Sequence, residues 1–245
     1  MAPPQVPGLA TSAIMKIRAI ARTVRDTARR SAQQVELRSA LSRLERDLRS
    51  GKRPKMPLLH RLARGWGNQW WSASPHLVTA MLDWLPKTSG PILECGSGLT
   101  TLVLAAAAAQ SGRNVISLEH DRNWGDRVLA ALPVRLRTHV TLRLSPIKDF
   151  GEFDWYSVGP NDIPSGIGLV LCDGPPGGTR GGRYGLAPVM ANRLAAKCII
   201  LLDDTQRPGE HTVLERWRSE FRASLVEEGG TYSVIEIGAP ARATE

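Results

Sequence analysis

Apolar positions along this chain follow two different periods, and the change between them divides it. From residue 12 to residue 49 they recur at alternating three- and four-residue steps, first as Ile14, Ile17, Ala21, Val24, Ala28, Ser31 and Val35, then in a shifted register as Leu37, Leu41, Leu44 and Leu48. That spacing predicts one long helix from Ser12 to Arg49, stopped by Gly51 and Pro54. Beyond residue 60, short apolar runs alternate with helical patterns. The runs predict strands near 91–95, 114–119, 139–145, 167–172, 198–202 and 231–237. The stretches between them predict helices near 75–85, 101–111, 122–132, 185–196 and 210–227. The alternation is that of an α/β fold, a doubly wound and mostly parallel sheet with helices on both faces.

One strand-to-helix junction carries chemistry. Ile92-Leu93-Glu94-Cys95-Gly96-Ser97-Gly98 is an apolar strand that ends in an acid and opens through two close glycines into the alanine-rich run after Thr101. Glycines there let the chain turn sharply and let a ligand approach main-chain N–H groups. A second strand, Val115 to Leu118, ends at Glu119, about the distance beyond Gly98 at which a carboxylate accepts ribose hydroxyls. A dinucleotide site wants a third glycine where this chain has Thr101, so a pyrophosphate is disfavoured. An acid at position 94 repels phosphate and suits an ammonium and a sulfonium, and S-adenosylmethionine carries both.

Composition changes the picture at one end only. Residues 1–60 hold 13 Lys and Arg against four Asp and Glu, and the other 185 residues hold 19 of each sign. The division is therefore a basic, Pro-tailed helical arm at 1–60 and a neutral cofactor-binding domain at 61–245. Three readings of the arm stay open at residues 12–50: self-association, an anionic membrane surface, or nucleic-acid phosphates. No apolar run approaches the roughly 18–20 residues of a membrane span, and no secretory apolar region precedes the domain. The chain therefore reads as cytoplasmic, with peripheral attachment of the arm as a variant. Cys95, Cys172 and Cys198 are odd in number and lie in strand segments, which argues for small buried hydrophobes.

These residues resemble the class I S-adenosylmethionine-dependent methyltransferases, whose first motif is an acid-x-Gly-x-Gly loop and whose second strand ends in an acid. Leu169 to Gly177, with Asp173, looks like their fourth motif, and Cys198 to Asp204 looks like their fifth strand. The set Trp70 to Pro75, Leu118 to Asp121, Asp173 to Pro176, Arg183-Tyr184 and Leu202 to Asp204 is similar to a poorly characterised bacterial group related to the catechol O-methyltransferase type. The resemblance implies a Rossmann-like fold closed by an antiparallel hairpin, of which only Thr231 to Ile237 is legible here. It implies cofactor contacts from Glu94, Cys95, Gly96, Ser97, Gly98, Thr101, Glu119 and Asp173.

In the catechol-type enzymes an Asp after strand four and an Asp-Asn pair after strand five bind a divalent metal. The corresponding residues are Asp173, Asp203 and Asp204, and three carboxylates suit Mg2+, Ca2+ or Mn2+. The family's catalytic lysine is replaced by Pro176, so the expected catalytic groups are Asp173, Asp204 and His76. Arg180 and Arg183 are expected to clamp an anionic substrate, Tyr184 to stack on it, and Trp71 to belong to a lid. The implied function is methyl transfer to an oxygen of a small-molecule or glycan-like acceptor. An RNA or protein methyltransferase docking through the arm is the first alternative, and a non-catalytic scaffold or binding protein that keeps the fold is the second.

Overall fold

The computed structural model describes residues 9–68, 73–159 and 161–238, with side chains at Met15 and from Arg18 onward in the first helix. That helix, α1, runs Leu9–Arg49. Two helices follow, α2 at Met56–Trp66 and α3 at Pro75–Trp84. Then come β1 at Ile92–Cys95, α4 at Leu99–Ser111, β2 at Val115–Glu119, α5 at Arg122–Ala131 and the short α6 at Val134–Arg137. The middle of the chain holds β3 at Val140–Leu144, β4 at Ile147–Asp149, β5 at Asp154–Tyr156 and β6 at Ile167–Cys172. It closes with α7 at Leu186–Met190, β7 at Leu194–Asp203, α8 at Pro208–Glu220, β8 at Ala223–Glu228 and β9 at Tyr232–Gly238.

Seven strands form one sheet in the order β3-β2-β1-β6-β7-β9-β8. The first five in that order are parallel, β9 is antiparallel to β7, and β8 is antiparallel to β9. The fold is thus the Rossmann-like, mostly parallel sheet that the alternation predicts. Chain order reverses between β1 and β6, so the carboxyl ends of these two strands flank the switch point where such sheets bind ligands. Apolar side chains fill both faces: α1 to α4 pack on one, and α7, α8 and the β4–β5 hairpin pack on the other.

Four features differ from the sequence expectation. The helix expected to reach residue 227 ends at Glu220, and β8 supplies the missing half of the final hairpin. Val213, Trp217, Phe221 and Leu225 continue a helical four-residue step, and on this edge strand only Ala223 is buried, so it shows no two-residue alternation to read. The helix expected over 185–196 is shorter, because β7 already begins at Leu194. The helix α2 and the β4–β5 hairpin were not legible at all, the hairpin because its strands are three residues each.

The fourth concerns α1. Its second apolar register packs, with Leu37, Leu41 and Leu44 buried against the domain and buried Glu45 held by Arg135 through two bonds of 2.5 and 3.0 Å. The first register does not pack: Ile20, Val24 and Val35 are each more than 60% exposed. The two helices cross where Gly65 faces α1, and a Cβ at Gly65 would lie 2.5 Å from the Leu37 nitrogen. Alanine normally favours a helix interior over glycine. At this crossing the sign reverses, and Gly65→Ala is expected to lower stability by about 1–3 kcal/mol in urea denaturation.

Candidate functional site

The acid-glycine junction is built from the inside outward. Glu94 is fully buried, with one carboxylate oxygen accepting from Thr100 Oγ1 at 2.6 Å and the other from Thr101 Oγ1 at 2.6 Å and Ser117 Oγ at 2.5 Å. Thr101 Oγ1 also accepts from the Gly98 N–H at 2.9 Å. This net ties β1, β2 and the first turn of α4 to one carboxylate, so Glu94 and Thr101 brace the loop from behind. Gly96 turns it at φ +90°, where a Cβ would sit 3.1 Å from the Gly174 nitrogen. The loops after β1 and β6 therefore meet backbone to backbone, which no side chain would permit.

Glu119 ends β2 and is buried in the wall of the cleft at the carboxyl ends of the strands. Its Oε2 accepts from the Ser97 N–H at 3.1 Å and Oγ at 2.6 Å, and its Oε1 accepts from the N–H groups of His120 and Asp121 at 2.8 and 2.9 Å. Trp124 on α5 clamps the same loop by donating its indole N–H to the Ser97 carbonyl at 2.7 Å.

Across the switch point, Asp173 follows β6, Asp203 ends β7, and Asp204 sits in the left-handed region at φ +59°. Aspartate and asparagine are among the few non-glycine residues enriched there. The ligand oxygens of the three acids lie within 4.8 Å of one another. A guanidinium already stands among them. Arg183 is 2% exposed, and its Nη2 donates to Asp173 Oδ1 at 3.1 Å, Asp204 Oδ2 at 2.8 Å and the Asp173 carbonyl at 2.9 Å, while its Nη1 donates to the Asp203 carbonyl. Arg207 adds a second cation 2.9 Å from Asp204 Oδ2.

Burial pushes the carboxyls of Asp173, Asp203 and Glu210 upward, with Arg183 opposing in each case. Burial works against the charge of Arg183 too, and Asp173, Cys172, Glu210 and Asp204 more than offset it. The side of the cluster between Asp173 and Asp204, where a cation binding both would sit, is thus taken by a side chain of the protein itself.

These groups line a cleft of about 490 Å³ along the carboxyl ends of the strands. Of the residues singled out in the sequence, Gly96, Ser97, Glu119, Asp173, Arg183, Asp203 and Asp204 come together on its walls. Cys95 is buried in β1, and Glu94, Gly98 and Thr101 stand behind the wall. His76 is exposed at the start of α3 and outside the cleft.

Arg180 is spent on the β4–β5 hairpin, bonding Asp149 at 2.5 Å and Asp154 at 2.6 Å. Tyr184 is buried against Phe153 and Phe221, with its hydroxyl on Glu220 and Arg216 over its ring. Arg183 is likewise an internal ion-pair partner and not a free clamp. Trp71 lies outside the described residues.

Sequence reasoning missed Tyr156. Its ring is fully buried, its hydroxyl has no hydrogen-bond partner among the described residues, and it lines the cleft beside Gly174, where a Cβ would run into the Tyr156 hydroxyl. Burial raises this phenol well above its ordinary range, with the nearby Cys95 and Glu119 adding to it, so the group is a proton-bearing donor. It arrives on a three-residue strand, too short to announce itself.

Burial lifts the carboxyl of Glu94 to about 7 against three donated hydroxyls, with Glu119 adding to the rise. A folded-state value above the unfolded one means that the folded chain holds the proton longer, so stability falls as pH rises from about 4.5 to about 7 and is flat above. The loss from this group is about 3 kcal/mol. Denaturation midpoints across that range are expected to fall less steeply in Glu94→Gln, the difference from the unsubstituted chain being this carboxyl's share.

Comparison with known proteins agrees with the geometry. A family model described as "Methyltransferase domain" matches residues 93–205, the stretch from β1 to just past Asp204. No protein of curated function matches the sequence. Among solved structures, an O-methyltransferase from Bacillus cereus in complex with SAH is similar at 13% identity and TM-score 0.55, over 76% of this chain and 92% of that one. A methyltransferase from Geobacter sulfurreducens is similar at 15% identity and TM-score 0.48, over 74% of this chain and 85% of that one. The Bacillus cereus structure is a likeness of fold, and the family match falls on the segment that builds the cleft. Residues 93–205 match a methyltransferase domain, and the fold around them is the Rossmann-like one of the class I S-adenosylmethionine-dependent methyltransferases.

Proposed function

We propose that the chain transfers a methyl group from S-adenosylmethionine to an oxygen of a small-molecule or glycan-like acceptor, and that it does so without a divalent metal. The observation that carries this reading is that Ser97, Glu119 and Asp173 line one cleft at the carboxyl ends of the strands. S-adenosylmethionine, when bound, supplies a methyl on a sulfonium that brings its own leaving group. Glu119, held by four donors, presents fixed negative charge to ribose hydroxyls. Gly96 and Ser97 line the same cleft, where the loop is held by Glu119 and Trp124.

Asp173 takes the acceptor's proton. Burial raises its carboxyl above the ordinary carboxylate range, and Arg183 opposes that rise and fixes its orientation. The oxygen–methyl bond forms as the methyl–sulfur bond breaks, and the hydroxyl proton passes to the Asp173 carboxylate. Tyr156 offers a hydrogen bond from a dry wall. With Nη2 of Arg183 between Asp173 and Asp204 and Arg207 outside Asp204, the donor set does not fit a divalent ion held by all three acids.

Calorimetry with S-adenosylmethionine tests the donor. Binding is expected in the full chain and is expected to weaken by about tenfold or more in Glu119→Ala, where charged hydrogen bonds worth about 1.5–3 kcal/mol are lost. No heat at millimolar ligand would remove the reading. For the chemistry, Asp173→Asn is expected to lower the rate of methyl transfer by about 100-fold or more with donor affinity little changed, and EDTA is expected to leave the rate unaltered.

A further inference from the structure

A second cleft, of about 700 Å³, lies on the other side of Trp66, between α1, the end of α2 and α5. Arg29, Arg30, Arg38 and Arg127 line it, against a single acid, Asp26. Arg29, Arg30 and Arg38 are exposed and make no ion pair or side-chain hydrogen bond with any described residue. Arg127 lies over the rings of Trp66 and Trp124 at 5.2 and 4.9 Å. Trp66 is only 4% exposed, and its indole N–H is buried without a partner. Four cations therefore share one concave wall, with the buried Trp66 ring behind them. An ordinary fold gains nothing from that arrangement, because unpaired like charges on one face repel each other.

We propose that this cleft binds the phosphates of a single-stranded polynucleotide. The helix that forms its wall carries Arg18, Arg22, Arg25 and Arg29 at three- and four-residue steps, one face of exposed guanidinia leading into the cleft. Over 11 residues that track is about 16 Å long, which suits a linear polyanion better than a compact ion. A bilayer fits poorly, because the cleft arginines line a hollow rather than a flat face. The cleft is also linked to the methyl-donor loop. Arg127 stacks on Trp124, and Trp124 holds the Ser97 carbonyl. Docking here does not require a methyl donor, so the proposal stands or falls apart from the transfer reaction.

The test is fluorescence anisotropy of a labelled single-stranded RNA of about 12 nucleotides with the full chain, repeated from about 50 to about 200 mM salt. Seven engaged arginines, four in the cleft and Arg18, Arg22 and Arg25 on the track, give a slope of log K on log salt of about −5. Replacing Arg29, Arg30 and Arg38 by Gln is expected to reduce that slope by about 2. A control replacing Arg46, Arg49 and Lys52, which are exposed on or just after the same helix but outside the cleft, is expected to leave it unchanged. Quenching of tryptophan emission on RNA addition is expected from the position of Trp66 and Trp124. Three results overturn the proposal: no binding at low salt, equal losses in the cleft and control variants, or cosedimentation with anionic phosphatidylserine vesicles in the absence of RNA affinity.

Discussion

The rim of this sheet depends on one guanidinium. Asp173, Asp203, Asp204 and Glu210 converge at the ends of β6 and β7 and the start of α8, and Arg183 lies within 4 Å of carboxylate oxygens on three of them. Isolated charges in such a place cost several kcal/mol each, and a buried pair is tolerated only when its lone pairs and protons are also satisfied. The two terminal nitrogens of Arg183 meet that condition by reaching two main-chain carbonyls as well as two carboxylates, whereas its Nε and Glu210 Oε2 are buried without a hydrogen-bond partner among the described residues. The loop after β6 is thereby tied to β7, and the wall of the cleft opposite the glycine loop acquires a fixed shape.

The other wall is held by the same logic applied to a buried acid without a counter-ion. Glu94 is satisfied by three hydroxyls, which hold the turn at Gly96 against the loop carrying Asp173. One end of the cleft is thus organised by a carboxyl near neutrality and the other by a charged pair. The pocket between them presents hydrogen-bond acceptors at Glu119 and Asp173 and a donor at Tyr156. Acceptors on its walls suit a ligand with hydroxyl and ammonium donors.

Much of this was legible in the sequence because its signals are local. Strand, acid and paired glycines follow one another within residues 92–98, and the acids at 119, 173, 203 and 204 each end an apolar run. What could not be read depends on contacts between distant segments. Arg183 looks like a loop arginine available to substrate until its partners 10, 20 and 21 positions away are known. Arg180 and Tyr184 stand close to it in the sequence yet bond to the β4–β5 hairpin and to Glu220 of α8. Tyr156 and β8 were hidden by strands too short or too one-sided to show a period.

The claim that Arg183 serves as the cation of the acidic rim is tested most directly by electron paramagnetic resonance of Mn2+ titrated into the full chain. The account predicts that the signal of free Mn2+ persists undiminished in the unsubstituted protein, and that Arg183→Met, which removes the buried cation between Asp173 and Asp204, acquires a site that depletes it. Stoichiometric Mn2+ binding by the unsubstituted chain, abolished in Asp203→Asn, would contradict it.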